Sequence, residues 1–109
     1  MTFSIVGYDS QEKEWGIAVQ SKFLGVGAVV PFAKAGVGAV ATQSYANTAY
    51  GPQALELMAQ GKSAEEVMEL ITKDDPDKEM RQVGLIDAEG NGATFTGTYC
   101  YDWAGGLTG

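Results

Sequence analysis

The spacing of apolar and polar residues divides this chain into a strand-like first part, a helical middle and a strand-like end. Four apolar runs in the first part predict strands at Thr2–Tyr8, Trp15–Gln20, Gly25–Phe32 and Gly36–Gln43. A polar turn joins the first two runs, so we expect them to form a β-hairpin. Because proline cannot donate to a strand ladder, Pro31 predicts that the third strand lies at a sheet edge or ends there.

From Ala46 onward the apolar spacing becomes helical. One helix is predicted over Gly51–Gln60, with a proline in its first turn and Gly61 as its stop. A second helix is predicted over Ser63–Lys73, where the serine and Glu66 fit the pattern of a capping box. The middle of the chain therefore contains two consecutive helices.

Two further strands at Gln82–Asp87 and Ala93–Gly97 flank a glycine-containing turn. Strands and helices in separate blocks predict antiparallel α+β layers instead of alternating βαβ units. Two helices leave a sheet face uncovered, and the last residues before Gly109 form no predicted element. We therefore expect residues 1–109 to form a single domain whose C-terminal part is missing or lies on another chain.

Composition and charge exclude several classes of function. The 109 residues are 45% apolar, which is too hydrophobic for a disordered chain. One cysteine and no histidine exclude an internal disulfide, the common histidine-based metal sites and a histidine-activated nucleophile. The net charge of −7 argues against nucleic acids and anionic membranes as partners. Since no secretion signal or membrane-spanning run is visible, we expect a cytoplasmic protein.

A glycine pattern in the fourth predicted strand resembles a dinucleotide-binding fingerprint. Gly36–Ala41 satisfies G-x-G-x-x-A, and Glu56 falls near the position of the acidic residue that follows such a motif. The fingerprint opens a helix directly after a strand, whereas Val37–Thr42 is itself predicted as a strand. We therefore expect no dinucleotide cofactor.

Acidic residues cluster at the end of the second predicted helix. The spacing of Asp74, Asp75, Asp77 and Glu79 loosely resembles a calcium-binding loop, but Pro76 interrupts it and the glycine bend is absent. We interpret the cluster as a solvated helix end, and we expect no bound metal.

Thr2 is the candidate nucleophile of this histidine-free chain. It follows Met1, its side chain is small enough to permit removal of the methionine, and it begins an apolar strand. A terminal threonine can act as its own base, because its α-amine, with a reference pKa of about 7.7–8.0, accepts the hydroxyl proton. A nearby Lys22 or Lys34 would lower the pKa of that amine and stabilise developing negative charge. A threonine that opens a strand also fits a purely structural role.

Six separated blocks of the chain resemble, in the same order, an uncharacterised bacterial and archaeal family catalogued as domain of unknown function 1028. The blocks are Thr2–Val6, Ala18–Phe23, Val26–Ser44, Tyr45–Pro52, Arg81–Asp87 and Cys100–Gly106. The resemblance covers essentially the whole chain. Members of that family continue well past the position of Gly109, which leads us to expect a truncation or a chain break there.

The resemblance implies a fold of the N-terminal-nucleophile (Ntn) hydrolase type. Such proteins form a four-layer αββα sandwich, with the nucleophile on the first residue of an inner strand. By this likeness Thr2 matches the nucleophile. The backbone amides near Gln43 and Ser44, at a strand-to-helix corner, match the expected position of an oxyanion hole.

The resemblance does not decide which of two lysines is the cation beside the Thr2 amine. Lys34 suits the role by its distance along the chain from Thr2, whereas Lys22 lies at the end of the second strand, and we prefer Lys22. Ser21 and Asn47 are the polar groups that could orient the amine or the substrate. The aspartate that proteasome-type members carry after the second strand has no clear counterpart.

The resemblance and the residues together predict an amidohydrolase in which Thr2 forms an acyl-enzyme, without metal or cofactor. We expect a small amide or peptide-like substrate and either a homo-oligomer or pairing with the missing C-terminal part. The alternative is a non-catalytic Ntn-like module for binding or assembly, in which Met1 is retained.

Overall fold

The order of elements is four strands, two helices and two strands, as the sequence predicts. A computed structural model describes all 109 residues, Met1–Gly109. The strands are β1 (Thr2–Asp9), β2 (Glu14–Ser21), β3 (Pro31–Lys34), β4 (Gly38–Ser44), β5 (Arg81–Ile86) and β6 (Gly92–Thr96). The helices are α1 (Tyr50–Ala59) and α2 (Ala64–Thr72), and short 3-10 turns lie at Val26–Ala28 and Lys78–Met80.

The strands form two antiparallel sheets. β1 and β2 make a two-stranded hairpin, and the other four strands form a sheet in the order β3-β4-β5-β6. The hairpin contacts β3, β4 and β5, while α1 packs on β3 and β4 and α2 packs on β5 and β6. The predicted α+β class is therefore confirmed. Neither helix is long and apolar enough to cross a bilayer.

β4 is the central buried strand, because it is covered on both faces. Its residues from Gly38 to Gln43 are all buried. Successive side chains point to opposite faces of a strand, so Val40 lies in the helix-facing core with Val83 and Leu85. Ala39 and Ala41 belong to the opposite face, where small side chains allow the hairpin to approach. The segment that resembled a dinucleotide fingerprint is thus a turn followed by a strand.

The hairpin alternates strictly between its two faces. In β1 every second residue, beginning with Thr2, is half-buried, while the residues between them are exposed. Phe3 and Ile5 remain 65% and 69% exposed on the outer face of the hairpin. The inner face therefore meets the four-stranded sheet, and the outer face carries uncovered apolar side chains.

Polar caps at its N-terminus fix the position of α2. The Ser63 hydroxyl accepts a hydrogen bond from the Glu66 amide at 3.3 Å, and the Ser63 amide donates to the Glu66 carboxylate at 2.9 Å, which confirms the predicted capping box. The buried carboxylate of Asp87 accepts a further bond from the Ala64 amide at 3.0 Å. These contacts join the start of α2 to the end of β5.

The strand predicted over Gly25–Phe32 is wrong. Gly25 has a left-handed φ of 76°, and the valine-rich residues after it form the 3-10 turn at Val26–Ala28. β3 begins at Pro31 and runs to Lys34 at the edge of the sheet. The expectation that Pro31 marks an edge strand is confirmed, because an edge tolerates a missing N–H.

The prediction of a solvated helix end is also wrong for Asp75, because its side chain is only 7% exposed. Its carboxylate accepts hydrogen bonds from Tyr50 Oη at 2.6 Å, Arg81 Nε at 3.0 Å and Asn47 Nδ2 at 3.4 Å. Asp75 therefore links the end of α2, the start of α1 and the start of β5. Sequence spacing did not reveal this buried ion pair, because its partners come from separate parts of the chain.

Replacing Gly51 with alanine should have an unusual effect on stability. Alanine normally stabilises a helix relative to glycine by about 1 kcal/mol. A Cβ on Gly51 would overlap the ring of Phe32, however, because α1 lies directly on β3. We expect Gly51→Ala to lower the free energy of unfolding by about 1–3 kcal/mol in urea denaturation.

Gly7→Ala is the matched control, because a Cβ there meets nothing within 4 Å. Its free energy of unfolding should equal or exceed that of the unchanged chain. A Gly51→Ala chain as stable as the unchanged chain would contradict the close packing of α1 on β3.

Candidate functional site

Thr2 lies at the start of β1, opposite the last residue of β2. The hairpin register pairs it with Ser21, and Thr2 Oγ1 lies 2.8 Å from Ser21 Oγ. The Ser21 hydroxyl also lies 3.4 Å from the Met1 carbonyl oxygen and accepts a hydrogen bond from the Phe23 amide at 3.1 Å. Hairpin geometry thus brings together two hydroxyl groups nineteen residues apart.

A cavity of about 310 Å³ opens beside Thr2 between the hairpin and the end of β4. Four parts of the chain supply its lining: the start of β1, the end of β4, one residue of β5 and the segment after β6. The lining residues are Met1–Ser4, Gln43–Tyr45, Gln82 and Cys100–Gly105. Thr2 and the predicted Gln43 and Ser44 therefore share one cavity.

Gln43 holds the backbone of Thr2 in place. Its side-chain Nε2 donates to the Thr2 carbonyl oxygen at 3.0 Å and to Gln82 Oε1 at 2.7 Å. Gln43 is 7% exposed, and its Oε1 is buried without a hydrogen-bond partner. Because buried polar atoms are nearly always paired, this oxygen is an exception within the network that holds Thr2.

Gln82 extends the same network and was not predicted. Its Nε2 donates to Thr96 Oγ1 at 3.1 Å and to the Gly105 carbonyl oxygen at 3.0 Å. These bonds connect the segment after β6 to the four-stranded sheet. The sequence signal for Gln82 is strand alternation. Gln82 lies on the same face of β5 as Gly84, whereas Val83 between them points towards the helices.

The end of β4 turns sharply into the cavity. Ser44 has a φ of 67°, in the left-handed region that non-glycine residues seldom adopt. Its hydroxyl lies 3.5 Å from Cys100 Sγ, which also lies 3.4 Å from the Arg81 carbonyl oxygen. Backbone conformations of this kind persist where the surrounding structure fixes them, and they cluster at functional sites.

The two candidate lysines have very different positions. Lys22 follows Ser21 directly and is exposed, but it does not line the cavity and forms no hydrogen bond or ion pair. Lys34 pairs with Gly38 at the far end of β4. The rise of a strand places Lys34 about 17 Å from Gln43, so the structure does not bring it to Thr2.

Asn47 has a structural position outside the cavity. Its side-chain Oδ1 accepts a hydrogen bond from the Ala49 amide at 3.1 Å, and its carbonyl oxygen accepts one from the Tyr50 amide at 3.1 Å. Its Nδ2 contacts the Asp75 carboxylate. These bonds form the entry to α1, so the predicted contact between Asn47 and a substrate is not supported by its placement.

The segment Cys100–Gly105 supplies the aromatic and acidic part of the lining. Tyr101, Asp102 and Tyr45 line the cavity together with Thr2, and the side chains of Tyr45 and Tyr101 lie close enough to interact. Interaction with the Tyr101 side chain raises the pKa of Tyr45 above its ordinary value. These residues belong to the blocks that resemble the family, but the sequence analysis assigned them no role.

The arrangement offers hydroxyl, amide and aromatic groups around one cavity. Thr2 provides a hydroxyl that contacts the Ser21 hydroxyl behind it, Gln43 provides a side-chain amide, and Tyr45 and Tyr101 provide aromatic rings. Nowhere in the chain do three or more cysteine, aspartate or glutamate side chains gather in a way that could hold a metal ion. Groups of this kind suit nucleophilic attack by a hydroxyl or the binding of a small polar molecule.

Residues 2–109 match the model of a family of unknown function, DUF1028, and the chain therefore belongs to that family. No protein of curated function matches it. Among solved structures it is similar to the crystal structure of protein SPO2555 from Silicibacter pomeroyi, which carries the same family designation. The two share 30% identity with a TM-score of 0.94, over 98% of this chain and 48% of the other. This chain therefore spans about half the length of that relative.

Proposed function

We propose that this protein is an Ntn-type amidohydrolase in which Thr2 attacks a small amide or peptide-like substrate. The single observation that carries the proposal is the placement of Thr2. It is the first residue of β1, its hydroxyl lies 2.8 Å from Ser21 Oγ, and it borders a cavity of about 310 Å³. A nucleophile must combine a fixed backbone with access to substrate, and Thr2 has both.

The layer order supports the corresponding fold. Hairpin, four-stranded sheet and helices form three successive layers, and the outer hairpin face exposes Phe3 and Ile5. A further helical layer over that face would complete an αββα sandwich. In this proposal additional chain or a second copy supplies the layer, because exposed apolar surface of this kind is normally covered.

The first half of the reaction forms an ester on Thr2. After removal of Met1, Thr2 Oγ1 attacks the amide carbonyl carbon, and its proton passes to the Thr2 α-amine. The tetrahedral intermediate then collapses with cleavage of the C–N bond. The ammonium group returns the proton to the departing amine, which leaves the acyl group esterified to Thr2.

The second half consumes one water molecule. The α-amine accepts a proton from water, the resulting hydroxide attacks the ester carbonyl carbon, and the proton returns to Thr2 Oγ1 as the acid departs. Backbone amides at Gln43 and Ser44 are the candidate donors to the oxyanion in both halves. Both residues line the cavity beside Thr2, which supports this assignment.

Lys22 is the candidate cation of the site. It follows Ser21, whose hydroxyl contacts Thr2, whereas Lys34 lies at the far end of β4. An ammonium group near the terminal amine lowers the pKa of that amine by repulsion between like charges. It also stabilises the oxyanion of the intermediate.

Intact-mass spectrometry tests the first requirement of the mechanism. We expect the purified protein to lack Met1, because only a free Thr2 amine can accept the hydroxyl proton. Incubation with a small activated p-nitrophenyl ester should then add one acyl group to the N-terminal peptide. Complete retention of Met1 in well-folded protein would contradict the proposal.

The second candidate function is a non-catalytic module that retains Met1. The exposed Phe3 and Ile5 favour it, because an uncovered apolar face is also typical of an assembly surface. The same mass measurement separates the two functions. Retained Met1 together with absence of acylation would favour the module.

A further inference from the structure

The cavity beside Thr2 has an unusual balance of charge for its lining. Its lining includes two tyrosines, Tyr45 and Tyr101, and one acidic residue, Asp102. No lysine or arginine lines it, and the one basic group among its lining residues is the α-amine at the chain start. Since the whole chain has a net charge of −7, the surrounding field favours cations over anions.

Tyr45 and Tyr101 both line the cavity and are 55% and 73% exposed. The faces of aromatic rings carry partial negative charge and attract ammonium and guanidinium groups. Asp102 follows Tyr101 directly in the lining. Rings and a carboxylate at one cavity wall form the usual surroundings of a bound organic cation.

We propose that the cavity beside Thr2 selects a substrate that carries a primary ammonium group. The aromatic rings of Tyr45 and Tyr101 and the Asp102 carboxylate receive the charge. This inference rests on the proposed function, since it assigns the substrate class of the hydrolytic site. What the inference adds is that the cavity prefers a positively charged substrate.

Three probes of similar shape and different charge test this preference. Benzylammonium, benzyl alcohol and benzoate are titrated at pH 7 into the full chain, and chemical shifts are followed at the Gln43 side-chain amide and the Tyr101 backbone amide. We expect benzylammonium to bind about fivefold to tenfold more tightly than benzyl alcohol. Benzoate should bind more weakly than either.

Variants assign the preference to this cavity. Asp102→Asn and Tyr101→Leu are expected to reduce the advantage of benzylammonium over benzyl alcohol to about twofold or less. Tyr99→Leu is the matched control, because Tyr99 is 74% exposed and does not line the cavity. Equal affinity for ammonium and alcohol, tighter binding of benzoate, or no effect of Asp102→Asn would overturn the inference.

The titration is repeated with Thr2→Ala, because binding does not require the nucleophile. A charge preference that persists in this variant supports the inference whether or not the unchanged protein hydrolyses amides. Conversely, acylation of Thr2 without a charge preference would leave the proposed reaction intact and overturn the substrate class. The two failures are therefore distinguishable.

Discussion

Thr2→Ala is expected to abolish acylation by an activated ester and to lower the rate of amide hydrolysis by about a thousandfold or more. The variant removes the hydroxyl that forms the ester while leaving a small residue at the start of β1. Thr2 Oγ1 contacts only Ser21 Oγ, so its loss costs little packing. Denaturing mass spectrometry after incubation with the ester measures the acyl adduct directly.

Thr2→Ser and Thr48→Ala are the controls for this result. Serine keeps a hydroxyl at position 2, so the Thr2→Ser chain should still form the adduct. Thr48 is exposed between β4 and α1 and lies outside the cavity, so its alanine variant should behave like the unchanged chain. Undiminished acylation in Thr2→Ala would remove Thr2 from the mechanism.

Asp75→Ala is expected to lower the free energy of unfolding by about 3 kcal/mol. The carboxylate is 7% exposed and pairs with Arg81, which is 17% exposed. Its removal leaves the guanidinium with only the exposed Asp77 carboxylate as a charged partner and leaves Tyr50 Oη without its acceptor. Urea denaturation at pH 7 measures the loss.

The pH dependence gives an independent readout of the same carboxylate. Hydrogen bonding to Arg81 holds the pKa of Asp75 well below its usual range. The stabilisation is therefore complete above the unfolded pKa of about 3.9 and is lost as the pH falls towards the folded value. Between pH 5 and pH 2, by this linkage, the unchanged chain should lose more stability than Asp75→Ala.

Asp77→Ala is the matched control for Asp75. Its carboxylate lies 3.7 Å from Arg81 Nη2 and is 63% exposed. An exposed pair of this kind contributes little, so we expect a change within about 0.5 kcal/mol. Equal effects of the two substitutions, or an Asp75→Ala chain with unchanged stability, would show that the buried network does not hold the fold.

The Asp75 network also reaches the candidate site. Arg81 Nη1 donates to the Tyr45 carbonyl oxygen at 2.7 Å, while the Arg81 carbonyl oxygen accepts from the Gly97 amide at 2.9 Å. One residue thus holds the backbone on two sides of the cavity. Loss of Asp75 should consequently disturb Tyr45 as well as global stability.

Local sequence signals predicted most of the regular elements. The capping box at Ser63 and the stop at Gly61 located both helices, because the bonds that begin or end a helix join residues within a few positions. Apolar runs on either side of a polar turn located β1 and β2 for the same reason. The signal failed at Gly25–Phe32, where left-handed Gly25 and an edge position outweighed the strand preference of the valines.

The candidate site was predictable only in part. Thr2 stood out because its chemistry depends on its place in the chain, and Gln43 and Ser44 came from the family resemblance. Gln82 and Asp102 could not be connected to Thr2 by spacing, since each lies eighty or more residues away along the chain. Their contribution depends on which strands become neighbours.

The sequence by itself determined most of the regular elements, the α+β class and the family, because these follow from local periodicity and from motifs that need no partner. The tertiary structure decided which polar groups meet. Strand order brought Gln43 and Gln82 together behind Thr2 and placed Lys34 at the opposite end of β4. It also buried Asp75 against Arg81. Contacts of this kind depend on packing between distant segments, and no local pattern encodes their distances.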